Sequence, residues 1–289
     1  MRPPPVERVR AALAREAGAE LAARLPRGYQ RLGHLVILRN FPDELRPWGS
    51  RIGRLFQEAL GVETVLAFPG GIQGEFRRPS ALCLAGSRTE VTHREEGLLW
   101  RFDAQEIMFA QGNRHERRRA GTLVQPGERV VDLFAGIGYF SIPAARFGRA
   151  AEVIAVEKNP VSLRYLEENA RLNGVAGTLR PLGGDNREVP LPRDWADRVF
   201  LGYLPDSLPF LPRAVATLRT GGGWVHAHLV VSARRREEEA LSRFARAARE
   251  SHATVASAEV VPVKPYGPGR THVAVDARII PRMGSSAER

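Results

Sequence analysis

Apolar and polar positions follow two distinct rhythms along this chain. Through about residue 103 the elements are short and mixed. The opening MRPPPVERVRAALAREAGAELAARL has apolar residues at helical spacing. HLVILR (residues 34–39) reads as a strand, and ELRPWGSRIGRLFQEAL as a helix after a polar start. VETVLAF, SALCLAG and TEVTHREEGLLWRFD predict strands and a hairpin. From residue 127 onward strands and helices alternate regularly. ERVVDLF predicts a strand, and the AGIG turn opens a helix running to Phe147. EVIAVE is the next strand and NPVSLRYLEENARLN the next helix, before TLRPL leads to the loop GGDNR. DRVFLGY, a helix over about residues 205–218, WVHAHLVV and the charged helix ARRREEEALSRFARAARES follow. ATVASAEVVPVKPY and THVAVDARI, separated by a Gly/Pro turn, close the chain.

The predicted organisation is a small α+β domain over residues 1–103, a connector over 104–126 carrying NRHERRRAG, and an α/β domain over 127–289. Strands joined by helices imply right-handed crossovers and a parallel sheet. Two final strands joined by a short turn imply an antiparallel hairpin at one edge. This seven-stranded order is the one expected of a class I S-adenosylmethionine (SAM) dependent transferase, a doubly wound, Rossmann-like relative of the dinucleotide-binding folds.

Composition narrows the setting. No apolar run approaches the ~18 residues that suggest a membrane span. One cysteine, Cys83, rules out an intrachain disulfide and a thiolate cluster, and its apolar neighbours in SALCLAG predict a core position. A reducing cytoplasm fits. Glu7, Glu16 and Glu20 interrupt the basic N-terminal face, and serine is absent there, against a transit peptide. The formal net charge is +11, nearly all of it arginine, since Lys158 and Lys264 are the only lysines. Such a surface favours polyanions, although an arginine-rich compositional bias yields the same excess. No segment points to an obligate protein partner.

The candidate cofactor loop is DLFAGIG, Asp132 to Gly138, at the end of the first strand of the repeating unit. Small residues there let backbone approach a ligand, and the following helix start offers free N–H donors. The pattern is only Gly136-Ile137-Gly138, preceded by Asp132 and Phe134, not G-x-G-x-x-G. Its context strengthens it. The second strand ends in Glu157, where a carboxylate can take both hydroxyls of a ribose. Asp185 and Asn186 follow the third strand, placed either to reach an adenine amine and ring nitrogen or to form an Asx turn. The fourth strand ends on Gly202 and Tyr203, without the Asn or Asp that many base-alkylating enzymes place there.

Nothing in the pattern argues for a metal. His226 and His228 share one strand face without a carboxylate or cysteine cluster, as core or groove histidines do. His115 and Glu116 form no H-E-x-x-H, because Arg119 stands where the second histidine would be. Ser141 follows the cofactor turn and belongs to no nucleophile elbow. The run Arg117–Arg118–Arg119 has two readings: a solvated helix face, or a segment with Asn113 and Glu116 that folds over the methionine end of SAM, Arg117 pairing with its carboxylate.

IQGEFRRPSALCLAG, THREEGLLWRFD, MFAQGNRHERRR, VVDLFAGIGYFSIPAA, GDNR, RVFLGYLP and KPYGPGRTHVAVDARI together resemble the tRNA wybutosine-synthesizing protein 2 family. The tRNA (guanine-37-N1)-methyltransferases are a sister family. The resemblance spans about residues 34–280. It implies transfer of the 3-amino-3-carboxypropyl (acp) group of SAM to carbon C7 of 4-demethylwyosine, the tricyclic base at position 37, just 3′ of the anticodon of phenylalanine tRNA. 5′-Methylthioadenosine is released. The resemblance implies that Glu157 and Asp185-Asn186 hold the adenosine, with Arg117 and the backbone of Ala110 near the methionine end. The family often has serine at the Ala110 position, so a side-chain hydrogen bond is lost here. Asn113, Gly202 and Tyr203 fall on the acceptor side, where Tyr203 either stacks on the base or packs. The methylating sister carries an arginine where Gly112 stands and an asparagine where Gly202 stands. Gly202 is therefore expected to leave room for a bulky base. Glu116 is shared by both families; it resembles a general base in the methyltransferases and is expected here to orient Arg117 or neighbouring amides. The alternatives are guanine-37 N1-methylation and an RNA-binding module without catalysis; the intact DLFAGIG, Glu157 and GDNR argue against the second.

Overall fold

The computed structural model describes residues 3–76 and 78–282. The chain forms two compact units, Met1–Phe109 and Ala110–Arg289.

In the first unit, helix α1 (Pro5–Ala17) starts with proline in its first turn and buries Val6, Val9 and Leu13, one stripe at helical spacing. Gly18, at φ 90°, separates it from α2 (Ala19–Ala23). Strands β1 (Gln30–Leu32) and β2 (Leu35–Arg39) form a hairpin. A 3-10 turn (Asp43–Trp48) and α3 (Gly49–Leu60) then cross over to β3 (Thr64–Phe68), parallel to β2. Short β4 (Ile72–Gln73) and β5 (Arg78–Pro79) pair with each other. β6 (Leu82–Ala85) completes a sheet of order β1-β2-β3-β6. Cys83 is exposed, contrary to the expected core position. It sits on an edge strand whose alternation buries Leu84 and turns Cys83 outward. The hairpin β7 (Glu90–Glu95) and β8 (Leu98–Asp103) is as predicted. The unit does not stop at residue 103: Ala104, Ile107 and Phe109 are buried, and the Phe109 ring stacks on Phe102 at 5.0 Å.

The second unit opens on a 3-10 turn (Gln111–Asn113) and α4 (Arg114–Leu123), so the basic run of the connector is helical. Then follow β9 (Arg129–Asp132), α5 (Ser141–Arg146), β10 (Glu152–Glu157), α6 (Pro160–Leu172), β11 (Leu179–Gly183), β12 (Arg198–Leu201), α7 (Leu211–Thr217), β13 (Gly223–Ser232), α8 (Arg236–Glu250), β14 (Ala253–Gly267) and β15 (Arg270–Pro281). The sheet order is β11-β10-β9-β12-β13-β15-β14. Five strands are parallel; β15 and β14 add antiparallel to β13. The central strands are apolar runs, as burial on both faces requires: Val130–Val131, Val153 to Val156, Val199 to Leu201. Two predicted helix starts move. α5 begins at Ser141, after an irregular turn, and the helix expected from residue 205 is replaced by a cis Leu204–Pro205 bond, a 3-10 turn (Leu208–Phe210) and then α7.

Candidate active site

The chain runs outward from β9 to β11 on one side and returns to β12 on the other. This reversal leaves a crevice beyond the carboxyl ends of β9, β10 and β12, where doubly wound sheets bind their ligands. Asp132, Glu157 and Gly202 stand at those strand ends.

The glycine turn is held from both sides. Asp132 is fully buried; its Oδ1 accepts the Phe134 N–H at 3.2 Å and its Oδ2 the Ser141 hydroxyl at 2.6 Å. Burial pushes the Asp132 carboxyl up to about 6, against those hydrogen bonds. Glu157 Oε2 accepts the Gly136 N–H and its Oε1 the Asn159 N–H, each at 2.7 Å. Burial raises this carboxyl too. The Lys158 N–H acts on this carboxylate as well, and the lone pairs that these three donors leave are what ribose hydroxyls can use. Gly136 and Gly138 have φ of 58° and 103°, and a Cβ on Gly138 would lie 2.4 Å from Ile142 Cδ1. Close helix packing therefore demands that glycine as much as a ligand does.

Asp185 and Asn186 differ in availability. Asp185 accepts Arg187 through its N–H at 3.0 Å and through Nε at 2.8 Å, and Lys158 Nζ at 3.0 Å. The Arg187 guanidinium holds the carboxyl well below the usual range. Asn186 donates Nδ2 to the Leu133 carbonyl at 3.1 Å, while its buried Oδ1 has no partner. Asn186 therefore offers an open acceptor beside the glycine turn, and Asp185 is half spent on an Asx turn and its cations.

Helix α4 brings Asn113, Glu116 and Arg117 together. Arg117 is 3% exposed, so the solvated-face reading fails for it. Its Nη1 donates to the Ala110 carbonyl at 3.0 Å, and its guanidinium lies 5.7 Å from the Tyr139 ring centre, beside the glycine turn. The Ala110 backbone is thus engaged although the side chain offers nothing. Asn113 stands at the N-cap position of α4, but its side chain makes no capping bond and its buried Oδ1 lacks a partner. Glu116 departs from expectation. It binds Arg119, with Oε1 at 2.9 Å from Nε and Oε2 at 2.8 Å from Nη2. The reason is helical spacing: position i+3 faces Glu116, whereas i+1 does not.

Arg119 continues into a buried chain. It also binds Asp276, which accepts His226 Nδ1 at 2.7 Å; His226 Nε2 receives Arg198 at 2.7 Å, and Arg198 pairs with Glu128 at 2.7 Å. A donor on Nδ1 and an acceptor on Nε2 make His226 a neutral imidazole, and burial lowers its pKa accordingly. Burial works to raise Asp276, but His226 and Arg119 win and hold its carboxyl well below the usual range. His228 Nδ1 lies 2.7 Å from His272 Nε2, and burial pushes each to about 3. Both histidines of β13 are thus satisfied core residues. Among the described residues no group of three or more His, Cys, Asp or Glu is arranged to hold a metal.

The end of β12, where the acceptor was expected, is aromatic. Phe134, Tyr203 and Phe210 form a cluster with ring centres 4.7 to 5.6 Å apart. Tyr203 packs here, and Phe210 joins it without any sequence signal beyond an aromatic following a strand end. Gly202 does not leave open room. A Cβ there would lie 2.8 Å from Phe140 Cε2. Phe140 in turn stacks on His228, with centres 5.2 Å apart. A Cβ on Gly112 would lie 3.2 Å from Lys264 Cδ.

A doubly wound sheet with a glycine turn, a carboxylate at the second strand end and a buried arginine beside that turn defines a class I SAM-dependent transferase. Comparison with known proteins agrees. The TRM5/TYW2 methyltransferase domain family matches residues 91–256, and the TYW2 N-terminal domain family matches residues 9–89. The chain belongs to the TYW2 family, the tRNA wybutosine-synthesizing protein 2 enzymes. It is 37% identical over 272 residues to the tRNA(Phe) (4-demethylwyosine(37)-C(7)) aminocarboxypropyltransferase of Pyrococcus horikoshii, covering 94% of this chain and 96% of that one. The crystal structure of P. horikoshii TYW2 in complex with MeSAdo superposes with a TM-score of 0.83 at 34% identity, covering 96% of this chain and all of the other. The tRNA m1G37 methyltransferase of Methanocaldococcus jannaschii is more distant, with a TM-score of 0.76 at 26% identity, covering 95% of this chain and 79% of that one.

Proposed function

We propose that this chain transfers the acp group of SAM to C7 of 4-demethylwyosine at position 37 of phenylalanine tRNA. The observation that carries the reading is Arg117, a buried guanidinium fixed by the Ala110 carbonyl over Tyr139 of the glycine turn. It supplies a rigid cation for the methionine carboxylate, and its partners set the direction in which that tail lies. Bound SAM supplies an electrophilic Cγ: the C7–Cγ bond forms, the Cγ–S pair leaves with 5′-methylthioadenosine, and C7 then loses its proton. Glu157 takes the ribose hydroxyls, and the open Asn186 Oδ1 is assigned to the adenine amine. Asn113 Oδ1 is the free acceptor at the acceptor side. Phe134, Tyr203 and Phe210 shield the site from water. The residues contribute position above all, since a near-attack geometry alone is worth several kcal/mol. The first unit, residues 1–103 in the sequence and extending to Phe109 in the fold, is assigned to orienting the tRNA.

Phe140 supports acp transfer over guanine N1-methylation, because its ring occupies the space that an asparagine at position 202 would need. The test is incubation with SAM and tRNA bearing the tricyclic base, followed by mass analysis of nucleoside and sulfur product. Acp transfer yields 5′-methylthioadenosine; S-adenosylhomocysteine overturns it in favour of methylation. A calorimetric titration with no SAM binding leaves an RNA-binding module. Arg117→Ala is expected to slow single-turnover transfer by roughly a hundredfold, as loss of a buried charge-assisted contact does. Unchanged transfer removes the clamp.

A further inference from the structure

Of 43 lysines and arginines, only Lys158 and Lys264 are lysines. A chain this biased keeps lysine where arginine's broad fork does not serve, since an ammonium is a compact point charge on a thin stem. Lys158 serves the adenosine side through Asp185. Lys264 has a less obvious place. It lies on β14 between two irregularities of the β14–β15 register, one between Pro262 and Lys264 and one between Pro265 and Gly267. Bulges re-aim side chains, and here they flank the pair Lys264–Pro265, of which only the lysine carries a polar side chain. The stem it directs crosses Gly112: a Cβ on that glycine would meet Lys264 Cδ at 3.2 Å and Nζ at 3.5 Å. Gly112 does not have the positive φ that would itself require glycine, so what its bareness provides is passage for this lysine. The same turn carries Ala110, which fixes Arg117, and Asn113 with its open acceptor. Beyond Lys264 the hairpin tip, residues 265–270, is exposed throughout, and Tyr266 is 44% exposed. Lys264 thus stands between the Gly112 turn and the solvent-exposed hairpin tip.

We propose that Lys264 is a positioning residue that grips a backbone phosphate next to the nucleotide being modified, holding that nucleotide against the Ala110–Asn113 turn. The proposal rests on the tRNA-modifying function proposed above. A lysine–phosphate contact releases counterion, so each one adds about 0.7–0.9 to the slope of log affinity against log salt. The full-length Lys264→Met protein is tested against unmodified phenylalanine tRNA transcript, with affinity measured across a salt series and SAM affinity measured by calorimetry. The expected result is about tenfold weaker tRNA binding at low salt and a slope shallower by roughly one contact, with unchanged SAM affinity. In turnover, KM for tRNA rises more than kcat falls. Gly112→Ala, which pushes the stem aside without removing the charge, is expected to weaken tRNA binding in the same direction, and it carries the test if Lys264→Met fails to fold. An unchanged slope overturns the proposal, as does a loss of SAM affinity, which would move Lys264 to the cofactor. The binding assay needs no transfer, so absence of 5′-methylthioadenosine from the native enzyme would refute the proposed reaction and leave this result standing.

Discussion

At the scale of single residues, the site is built on carboxylates whose partners decide what they can do. Asp132 was visible in the sequence as the residue opening the glycine turn, whereas Ser141 read only as a neighbour of that turn. Their hydrogen bond at 2.6 Å gives Ser141 a structural task. Burial pushes Asp132 up to about 6 from its ordinary 3.8. A carboxyl whose folded pKa is raised stabilises the fold fully below its unfolded pKa and loses that contribution as pH rises through about 6. Ser141→Ala removes a donor to the charged form and raises the folded pKa further, with the unfolded value unchanged. The destabilisation should therefore be small near pH 5 and grow to about 1–3 kcal/mol by pH 8. Denaturant melts of both proteins at the two pH values check this; equal losses at both would show that the hydroxyl does not serve the carboxylate. Glu116 makes the complementary point. Its type and position were legible, but its partner Arg119 leads to Asp276, 157 positions away, and no local pattern announces such a contact.

At the scale of elements, the directions of the strands were legible because connection lengths dictate them. Helical crossovers require parallel neighbours, and the short Gly/Pro turn requires the antiparallel hairpin. Helix starts were less legible. A turn with two positive-φ glycines delays α5 to Ser141 and places Phe140 in the turn, pointing at the end of β12. That ring explains Gly202 better than open space does. Gly202→Asn must move Phe140, which is 9% exposed and stacked on His228. Overpacking of this kind costs about 1–3 kcal/mol, a fall of roughly 3–10 °C in melting temperature for a domain of this size. Its residual product should remain 5′-methylthioadenosine, because the added amide meets a ring and not an acceptor base. Thermal melts and product analysis decide: a variant as stable as the parent that releases S-adenosylhomocysteine would restore the open-space reading.

At the scale of the whole molecule, two apolar cores share no residue. One is built from Val6, Val9, Leu13, Val36, Ile52, Phe56 and their neighbours; the other from Val131, Ile154, Val199, Val225, Phe244, Val275 and theirs. A unit with its own core is expected to fold alone. Every residue assigned to SAM, from Ala110 to Asn186, lies in the second unit, and so do the partners that fix them: Ser141 for Asp132, Asn159 for Glu157, Leu133 for Asn186. The β14–β15 hairpin that carries Lys264 and Asp276 also belongs to it. A fragment beginning at Ala110 should therefore melt cooperatively and bind SAM within about tenfold of the full chain, a difference of no more than ~1.4 kcal/mol. Its affinity for tRNA should fall further, since the first unit is assigned to orienting that substrate. Calorimetry with SAM and a binding titration with tRNA separate the two effects. A folded fragment that fails to bind SAM would show that the first unit completes the cofactor site; one that binds tRNA as tightly as the full chain would remove the orienting role from residues 1–109.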